Sequence, residues 1–254
     1  MIQEVLFNRD LLRQNKARAA KTFSQASFLH HEIANRIAEN VELLNRQFTN
    51  VLEIGAMDDY LRGLIRSDNY ECCNDEENLS LKPESFDLIL SNLNFHYINQ
   101  IPEFLIQIRD ALKPSGVFIA SFFGEENLSQ LAHVLYETEN EIYAGVSPRM
   151  PPTIDVKTAA NLIAKAGFHN PISDFEKIEV NYSDPLNLLK DLKMMGQGNI
   201  LSKRSRKFFT KNFLNKISQN YRKMYGNSNG EIPATFEIVT ITGWKASFEK
   251  GGGA

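Results

Sequence analysis

The sequence predicts an α/β fold with a mostly parallel sheet that is wound with helices on both faces. Residues 86–91 (FDLILS) and 117–122 (VFIASF) are almost wholly apolar, as strands covered on both faces should be. Segments with helical periodicity alternate with these runs, and an earlier apolar run ends at Gly55. Ligands of such sheets bind beyond the carboxyl ends of the strands, which here lie near Gly55 and Asn92.

Two helices and a first strand are predicted for the amino-terminal part of the chain. Residues 10–22 have helical character, and apolar residues at helical spacing predict a helix over 29–44. The strand at 51–54 is followed by a short helical segment at 60–65 and a short strand at 70–73. The strand at 86–91 comes next.

An amphipathic helix over 101–112 follows, with Pro102 in its first turn and the turn KPSG at 113–116 after it. The remaining predicted elements are a strand at 117–122, helices at 127–140 and 155–167, a strand at 177–182, a helical segment at 185–225 and a final strand at 235–245. A proline-rich loop containing VSPRMPPT precedes the helix at 155–167.

Length and composition predict one domain. The 254 residues, 43% of them hydrophobic, can form a full α/β core. We divide this domain into N-terminal helices (1–45), a sheet core (46–182), a helical basic segment (183–230) and a final strand (231–246). A net charge of −3 predicts no general attraction to nucleic acid or anionic lipid. No apolar run approaches the roughly 18 residues of a membrane span.

The cysteines and histidines predict neither a disulfide nor a metal site. Cys72 and Cys73 are the only cysteines, and sequence neighbours rarely bridge. The pair lacks the C-x-x-C spacing of zinc sites, and the five histidines are scattered. A reducing compartment, with the cytoplasm as the simplest case, is therefore expected.

The turn after the first strand is the most informative short stretch. Residues 51–61 read VLEIGAMDDYL, so the apolar run meets a single glycine, Gly55. Glycine lets a backbone pass close to a ligand and adopt positive φ. Ala56 and Met57 follow instead of further glycines, and the two acids after them suit the positive end of a helix dipole.

Six stretches of the chain resemble a known family in their order. They are VLEIG, FDLILS and LKPSG in the sheet core, residues 7–41 at the start, and DLKMMGQGN with GEIPATFEIVTITGWK near the end. The core motifs are similar to those of the class I S-adenosylmethionine (SAM)-dependent methyltransferases, whose fold is Rossmann-like. The terminal stretches are similar to the branch holding the malonyl-ACP O-methyltransferase of biotin synthesis and the methyltransferase-like assembly factor of respiratory complex I.

The resemblance implies SAM as cofactor. Its implied contacts are Glu53, Gly55, Ala56, Asp75 and Asn92. The family pattern carries two further glycines, where this chain has Met57 and Asp59. A thioether at the first of these positions enters the volume that the glycine leaves open for the cofactor, so the motif is degenerate.

Spacing predicts that one strand and its helix are absent after the first strand. Only 31 positions separate Gly55 from Phe86, and one βαβ unit takes roughly 30 residues. If residues 70–73 form the second strand, Asp75 stands where an acid contacts the ribose. If they form the third strand, Asp75 lies where the family places an acid against adenine. A solvated acid in the run Asp75-Glu76-Glu77 is a further interpretation of the same residue.

Two residues are candidates for chemistry on a substrate. Asn92, Asn94 and His96 follow the strand at 86–91, where the family places cofactor and substrate contacts, and His96 is a candidate proton acceptor. Arg149 is a candidate for bidentate binding of a substrate carboxylate. The simpler interpretations are a structural histidine and a surface arginine.

Residues 203–223 carry eight Lys or Arg and no acid. Phe209, Phe213, Ile217 and Tyr221 fall on one helical face, so a solvated helix packed on the core is one interpretation. The other is a docking surface for an acidic protein, such as acyl carrier protein or a respiratory complex subunit. The docking residues are then Lys203, Arg204, Arg206 and Lys207.

Two functions remain open from the sequence. The first is a SAM-dependent methyltransferase that acts on a carboxylate-bearing or acidic substrate presented by a protein. The second is an assembly or scaffold protein of a respiratory complex that has lost SAM binding, or an arginine-modifying assembly factor of the kind that the resemblance implies.

Overall fold

The computed structural model describes residues 5–77, 79–205 and 209–247. These residues form two compact units. The first comprises the described residues up to Ser27, Glu125–Thr153 and Glu176–Ile238, and the second comprises Phe28–Gly124, Ile154–Phe175 and the described residues from Val239. The single domain with four parts stays a prediction.

Helices and strands alternate as the sequence predicts. The helices are α1 (Arg9–Ala19), α2 (Phe28–Leu43), α3 (Tyr60–Leu64), α4 (Ile101–Ala111), α5 (Ser129–Tyr143), α6 (Val156–Lys165), α7 (Pro185–Met194) and α8 (Lys211–Tyr225). The strands are β1 (Phe48–Ile54), β2 (Ser67–Cys73), β3 (Phe86–Asn92), β4 (Leu112–Phe123), β5 (His169–Tyr182) and β6 (Ile232–Trp244). Short 3₁₀ turns lie at Phe23–Gln25 and Phe95–Tyr97. No described helix is long and apolar enough to cross a bilayer.

The sheet has six described strands in the order β2-β1-β3-β4-β6-β5. β1 pairs in parallel with β2 and β3, and β3 pairs in parallel with β4. A doubly wound sheet of order 3-2-1-4-5-6 has two strands beyond its first, whereas here β2 alone lies beyond β1. The predicted fold class is confirmed, and the predicted shortening after β1 is seen in the described part of the chain.

The core of the second unit lies on the sheet face that packs against α4 and α6. Its strand residues are fully buried and apolar, and the helices contribute residues at helical spacing. Members of this cluster include Leu52, Ile54, Ile89, Phe118, Ala120, Phe122, Phe104, Ile108, Ala159 and Ile163. This packed layer fixes the strand ends that form the candidate site.

The predicted helical segment at 185–225 is wrong as one element. α7 ends at Met194, α8 begins at Lys211, and the described residues between them are not helical. Gly196 has φ +79°, a left-handed conformation that ends a helix. At Gly198 a Cβ would lie 2.7 Å from Nδ2 of Asn15, so this side chain approaches the glycine closely.

Two motifs that carry the resemblance are hydrogen-bonded to each other at the start of β4. The backbone N–H of Lys245, in the final GWK, donates to the carbonyl of Gly116 in LKPSG at 2.9 Å. Nζ of Lys245 donates to the carbonyls of Leu112 at 2.7 Å and Asp110 at 3.3 Å, at the end of α4. A lysine that binds the last carbonyls of a helix stabilises it.

Replacing Lys245 by methionine is therefore expected to lower the free energy of unfolding by about 1–2 kcal/mol. The methylene stem is kept, and the carbonyls of Asp110 and Leu112 lose the hydrogen bonds from Nζ, together with the ion pair to Glu84 at 3.3 Å. Urea denaturation followed by circular dichroism measures the change. Lys82→Met, at an exposed position, is the control and should change the stability by less than about 0.5 kcal/mol. Equal stabilities for the two variants would contradict the capping role.

Candidate functional site

The carboxyl ends of β1, β2 and β3 meet at one edge of the second unit. Parallel register pairs Ile54 with Cys73 and Glu53 with Leu90. Gly55, Asp75 and Asn92 stand at or just after these ends, as the sequence predicts.

Gly55 is required by its backbone and by its neighbour Asn94. It has φ +78°, and its N–H donates to the carbonyl of Cys73 at 2.8 Å. A Cβ built on Gly55 would lie 2.3 Å from both Cγ and Nδ2 of Asn94. The space that a glycine leaves open is therefore filled by the side chain of a buried asparagine.

Two residues of the turn after Gly55, Asp58 and Tyr60, contact α2. Nε2 of His31 and Oδ2 of Asp58 are 2.7 Å apart. The ring of His31 stacks on Tyr60 with centroids 3.9 Å apart, and the hydroxyl of Tyr60 donates to Asn35 at 3.2 Å. Asp58 is thus engaged by a helix side chain, while Ala56 and Met57 are half-buried.

Glu53 is a buried acid at the end of β1, with 3% of its surface exposed. Burial raises its pKa, the hydrogen bond from the hydroxyl of Tyr70 at 2.7 Å acts against this, and the charges of Asp58 and Asp59 raise it further, to about 7. A large fraction of Glu53 is therefore neutral at physiological pH.

The acids after β2 form part of the same edge. Asp75 is half-buried, and its carbonyl accepts from the thiol of Cys73 at 3.6 Å. Oε1 of Glu77 accepts from the backbone N–H and the side-chain amide of Asn99, at 2.9 and 2.8 Å. Because β2 lies next to β1, Asp75 has the position of an acid after a second strand.

Asn92 and His96 follow β3. Nδ2 of Asn92 donates to the carbonyl of His30 in α2 at 2.9 Å, and its buried Oδ1 has no hydrogen-bond partner among the described residues. His96 is 7% exposed, and its ring lies 4.0 Å from that of Tyr97 and 4.9 Å from that of Phe123. The role of His96 as a proton acceptor stays a prediction.

Arg149 belongs to the first unit. Its Nε and Nη2 donate to Oε1 of Glu139, a buried acid that the sequence reasoning missed. The only sequence signal was an acid on the apolar side of α5, shortly before the proline-rich loop. The role of Arg149 toward a substrate carboxylate stays a prediction.

Of the predicted docking residues, the structure describes Lys203, which is exposed, and Arg204, which is half-exposed. Arg206 and Lys207 lie outside the described residues. No group of three or more His, Cys, Asp or Glu that could hold a metal ion occurs in the described ranges.

The resemblance places SAM at this turn, and the residues present keep only part of the family's pattern. Glu53 and Gly55 keep the family's pattern, but the volume over Gly55 belongs to Asn94. The two missing glycines and the single strand beyond β1 leave fewer elements to surround an adenosine.

A family model described as "Methyltransferase domain" matches residues 31–120. The mouse protein "Arginine-hydroxylase NDUFAF5, mitochondrial" is 33% identical over 94% of this chain and 77% of its own. The malonyl-[acyl-carrier protein] O-methyltransferase of a Methylovorus species is 24% identical over 94% of this chain and 90% of its own.

Among solved structures, the YcgJ protein of Bacillus subtilis is similar, with a TM-score of 0.51 and 14% identity. The match covers 85% of this chain and 99% of that one, and it supports the fold alone. The relatives and the motifs agree along nearly the whole chain. The chain therefore belongs to the class I SAM-dependent methyltransferase family, in the branch that contains the NDUFAF5 arginine hydroxylase and the malonyl-[acyl-carrier protein] O-methyltransferase.

Proposed function

We propose that this chain is an assembly factor of the NDUFAF5 branch that acts on a protein partner and does not hold SAM. The observation that carries the proposal is the contact between Asn94 and Gly55. In the family the glycine turn passes close to the cofactor, and here the side of Gly55 where a Cβ would stand is occupied by the side chain of Asn94. Displacing a buried side chain on binding would cost part of the cofactor's binding energy.

Three further features support the loss of the donor site. Asp58 stands in the degenerate turn and is held by His31 at 2.7 Å. Glu53, the acid that ends β1, has a pKa of about 7 and loses much of its charge at neutral pH. The sheet has only β2 beyond β1, so less protein surface is available for an adenosine.

The names of the relatives support action on a protein. The mouse relative is named an arginine hydroxylase, and the Methylovorus relative is named for a carrier protein. Modification of an arginine, or assembly of a respiratory complex, is therefore the proposed role. The proposed partner is acidic, because residues 203–223 carry eight Lys or Arg and no acid. A cytoplasmic location belongs to the same proposal.

Methyl transfer from SAM to a protein-presented substrate is the second candidate function. It is favoured by Glu53 and Gly55, which keep the family's positions, and by the positive φ of Gly55. Transfer of a methyl group depends mainly on alignment of donor and acceptor, so a general base is not required. The two functions differ in whether the donor binds.

Calorimetric titration of the full chain with SAM and with its demethylated product is expected to give no binding heat up to about 1 mM. Asn94→Ala is expected to restore measurable binding, because it empties the volume over Gly55. Asn99→Ala is the matched control, since it removes an amide that contacts Glu77 instead. Micromolar binding by the unmodified chain would contradict the proposal and favour methyl transfer.

A further inference from the structure

A buried carboxylate organises the loop that follows α5. Glu139 is 2% exposed and accepts hydrogen bonds from the N–H and the hydroxyl of Ser147, both at 2.7 Å, and from the guanidinium of Arg149. Burial acts to raise the pKa of Glu139, but these hydrogen bonds outweigh it, and the pKa lies below its ordinary value. Glu139 is therefore a charged acceptor that fixes both loop residues.

Arg149 extends this arrangement to the start of α8. Its guanidinium lies 4.8 Å from the ring centroid of Phe209 and 5.2 Å from that of Phe213. The side chain is only 12% exposed. Paired with Glu139 and covered by two aromatic rings, the guanidinium is already in a complete binding site formed by the protein itself.

Asn199, between α7 and α8, links a third segment to the same loop through hydrogen bonds. Its Nδ2 donates to the carbonyl of Pro148 at 2.8 Å, and its Oδ1 accepts from the N–H of Leu201 at 3.0 Å. Ile200, the next residue, is bonded to the amino-terminal segment, because the N–H of Asn8 donates to its carbonyl at 2.8 Å. The chain on either side of the basic stretch is thus anchored at Pro148 and at Arg149.

The cationic residues next to these anchors share one sign of charge. Lys203 and Arg204 follow the segment that pairs with the amino-terminal residues through Phe7 and Leu201. Lys211 is the first residue of α8. Lys203 and Lys211 are exposed. The sequence contains no Asp or Glu between residues 192 and 230. A surface of this kind attracts an acidic segment of a protein, whose charge complements it.

We infer that Glu139, Arg149 and Asn199 form a clamp that holds Lys203, Arg204 and Lys211 as a preformed docking surface for an acidic protein segment. Arg149 is then a positioning residue that does not itself bind a substrate carboxylate. This inference rests on the acidic partner of the proposed function and is independent of whether SAM binds. Preformation matters because a surface that is already ordered loses less conformational entropy on binding.

A fluorescein-labelled poly-glutamate peptide is the probe, and its fluorescence anisotropy is measured with the full chain at low ionic strength and at roughly 0.15 M salt. The unmodified chain is expected to bind, and binding should weaken with salt. The variant with Lys203→Gln, Arg204→Gln and Lys211→Gln should bind about tenfold more weakly and depend less on salt.

Glu139→Gln distinguishes positioning from direct binding because the two roles predict opposite signs. If Arg149 positions the surface, a weaker clamp should reduce peptide affinity by about threefold or more. If Arg149 binds the anion, removal of its competing carboxylate should increase the affinity. Glu137→Gln, an exposed acid on the same helix, is the control for the change in net charge.

Asn199→Ala is the second variant and carries the test if circular dichroism shows that Glu139→Gln does not fold. It should also weaken the peptide complex, although it removes no charge. Tighter binding by Glu139→Gln, or affinities for both variants equal to that of Glu137→Gln, would overturn the clamp alone. Absence of binding by the unmodified chain would overturn the acidic partner together with the clamp, whereas the calorimetric result with SAM would stand.

Discussion

Gly55→Ala is expected to lower the free energy of unfolding by about 3 kcal/mol. At φ +78° a residue with a Cβ is strained by about 1–2 kcal/mol. The new methyl group would also lie 2.3 Å from Cγ and Nδ2 of Asn94, which is far inside van der Waals contact. Overpacking of this kind costs about 1–3 kcal/mol, because Asn94 is buried and has little room to move. Urea denaturation followed by circular dichroism measures the loss.

A double-mutant cycle separates the two causes. Combined with Asn94→Ala, the alanine at position 55 should lose its steric conflict and retain only the backbone strain, about 1–2 kcal/mol. Gly63→Ala is the matched control, because Gly63 is in α3 and a Cβ there meets nothing within 4 Å. That control should be neutral or stabilising by up to about 1 kcal/mol. An effect of Gly55→Ala that Asn94→Ala leaves unchanged would mean that the two residues do not touch.

The sheet was predictable because its central strands are nearly continuous apolar runs. β3 is apolar along nearly its whole length, so the expected strand at 86–91 differs from Phe86–Asn92 by a single residue. β5 was much less predictable, since most of its 14 residues are exposed and the periodicity is weak at its start. The strand was expected only over 177–182 and begins at His169. A strand could therefore be predicted where it is buried, because burial on both faces appears in the sequence as an apolar run.

The shortened side of the sheet was predictable from chain length alone. The polar residues of β2 are consistent with an edge strand. Glu71 lies opposite Leu52, and Asn69 lies opposite Asn50. Nδ2 of Asn69 donates to Asn50 at 2.9 Å, and Nδ2 of Asn50 donates to the carbonyl of Ser85 at 3.2 Å. Polar side chains therefore stand on a strand face that a helix would cover in a longer sheet. Charges on an edge strand also oppose pairing with another chain.

The candidate site was predictable only as a list of positions. Gly55 and Asn92 were expected at one edge of the sheet, because parallel strands end together. The contact of Asn94 with Gly55 depends on a positive φ and on the path of a loop 39 positions later, which no local pattern encodes. The pairing of Arg149 with Glu139 likewise depends on how a loop folds back onto α5.

The motifs that identify the family and the residues that decide its function lie in different places. Lys245 and Gly116, from the motifs GWK and LKPSG, bind each other at the start of β4. Their hydrogen bond stabilises the fold near the amino-terminal end of β4, several residues before the carboxyl end of that strand. A chain can therefore keep these motifs, and with them its family likeness, while the residues at the other end of the strands, such as Asn94 beside Gly55, change.

Glu53→Gln is expected to stabilise the protein by about 3 kcal/mol at pH 8 and to have almost no effect near pH 4. The folded-state pKa of Glu53 is about 7, against 4.5 for an ordinary glutamate side chain. A raised folded pKa contributes stability that is fully present below the unfolded pKa and is lost as pH rises through the folded pKa. Glutamine resembles the protonated acid at every pH, so the variant keeps the stability that the native chain loses between about pH 4.5 and pH 7.

The hydroxyl of Tyr70 can still donate to the amide oxygen of glutamine, so the hydrogen bond at 2.7 Å is retained and the charge alone is tested. Asp87→Asn is the control of opposite sign. Burial acts to raise the pKa of Asp87, but hydrogen bonds from the N–H of Asn50 and from Nζ of Lys113 outweigh it and lower that pKa. Neutralising Asp87 should therefore destabilise the protein at neutral pH, and the loss should fade as pH falls through the depressed pKa.

Urea denaturation at pH 4 and at pH 8 gives the free energy of unfolding of each variant and of the native chain. A stabilisation by Glu53→Gln that is equal at both pH values would mean that Glu53 titrates normally in the folded state. A difference that grows with pH would support a raised pKa for Glu53, which leaves this acid beside Gly55 about half neutral at pH 7. Under the proposed function, an acid that carries only part of its charge attracts a cationic ligand at the turn less strongly, and this effect adds to that of the space that Asn94 fills.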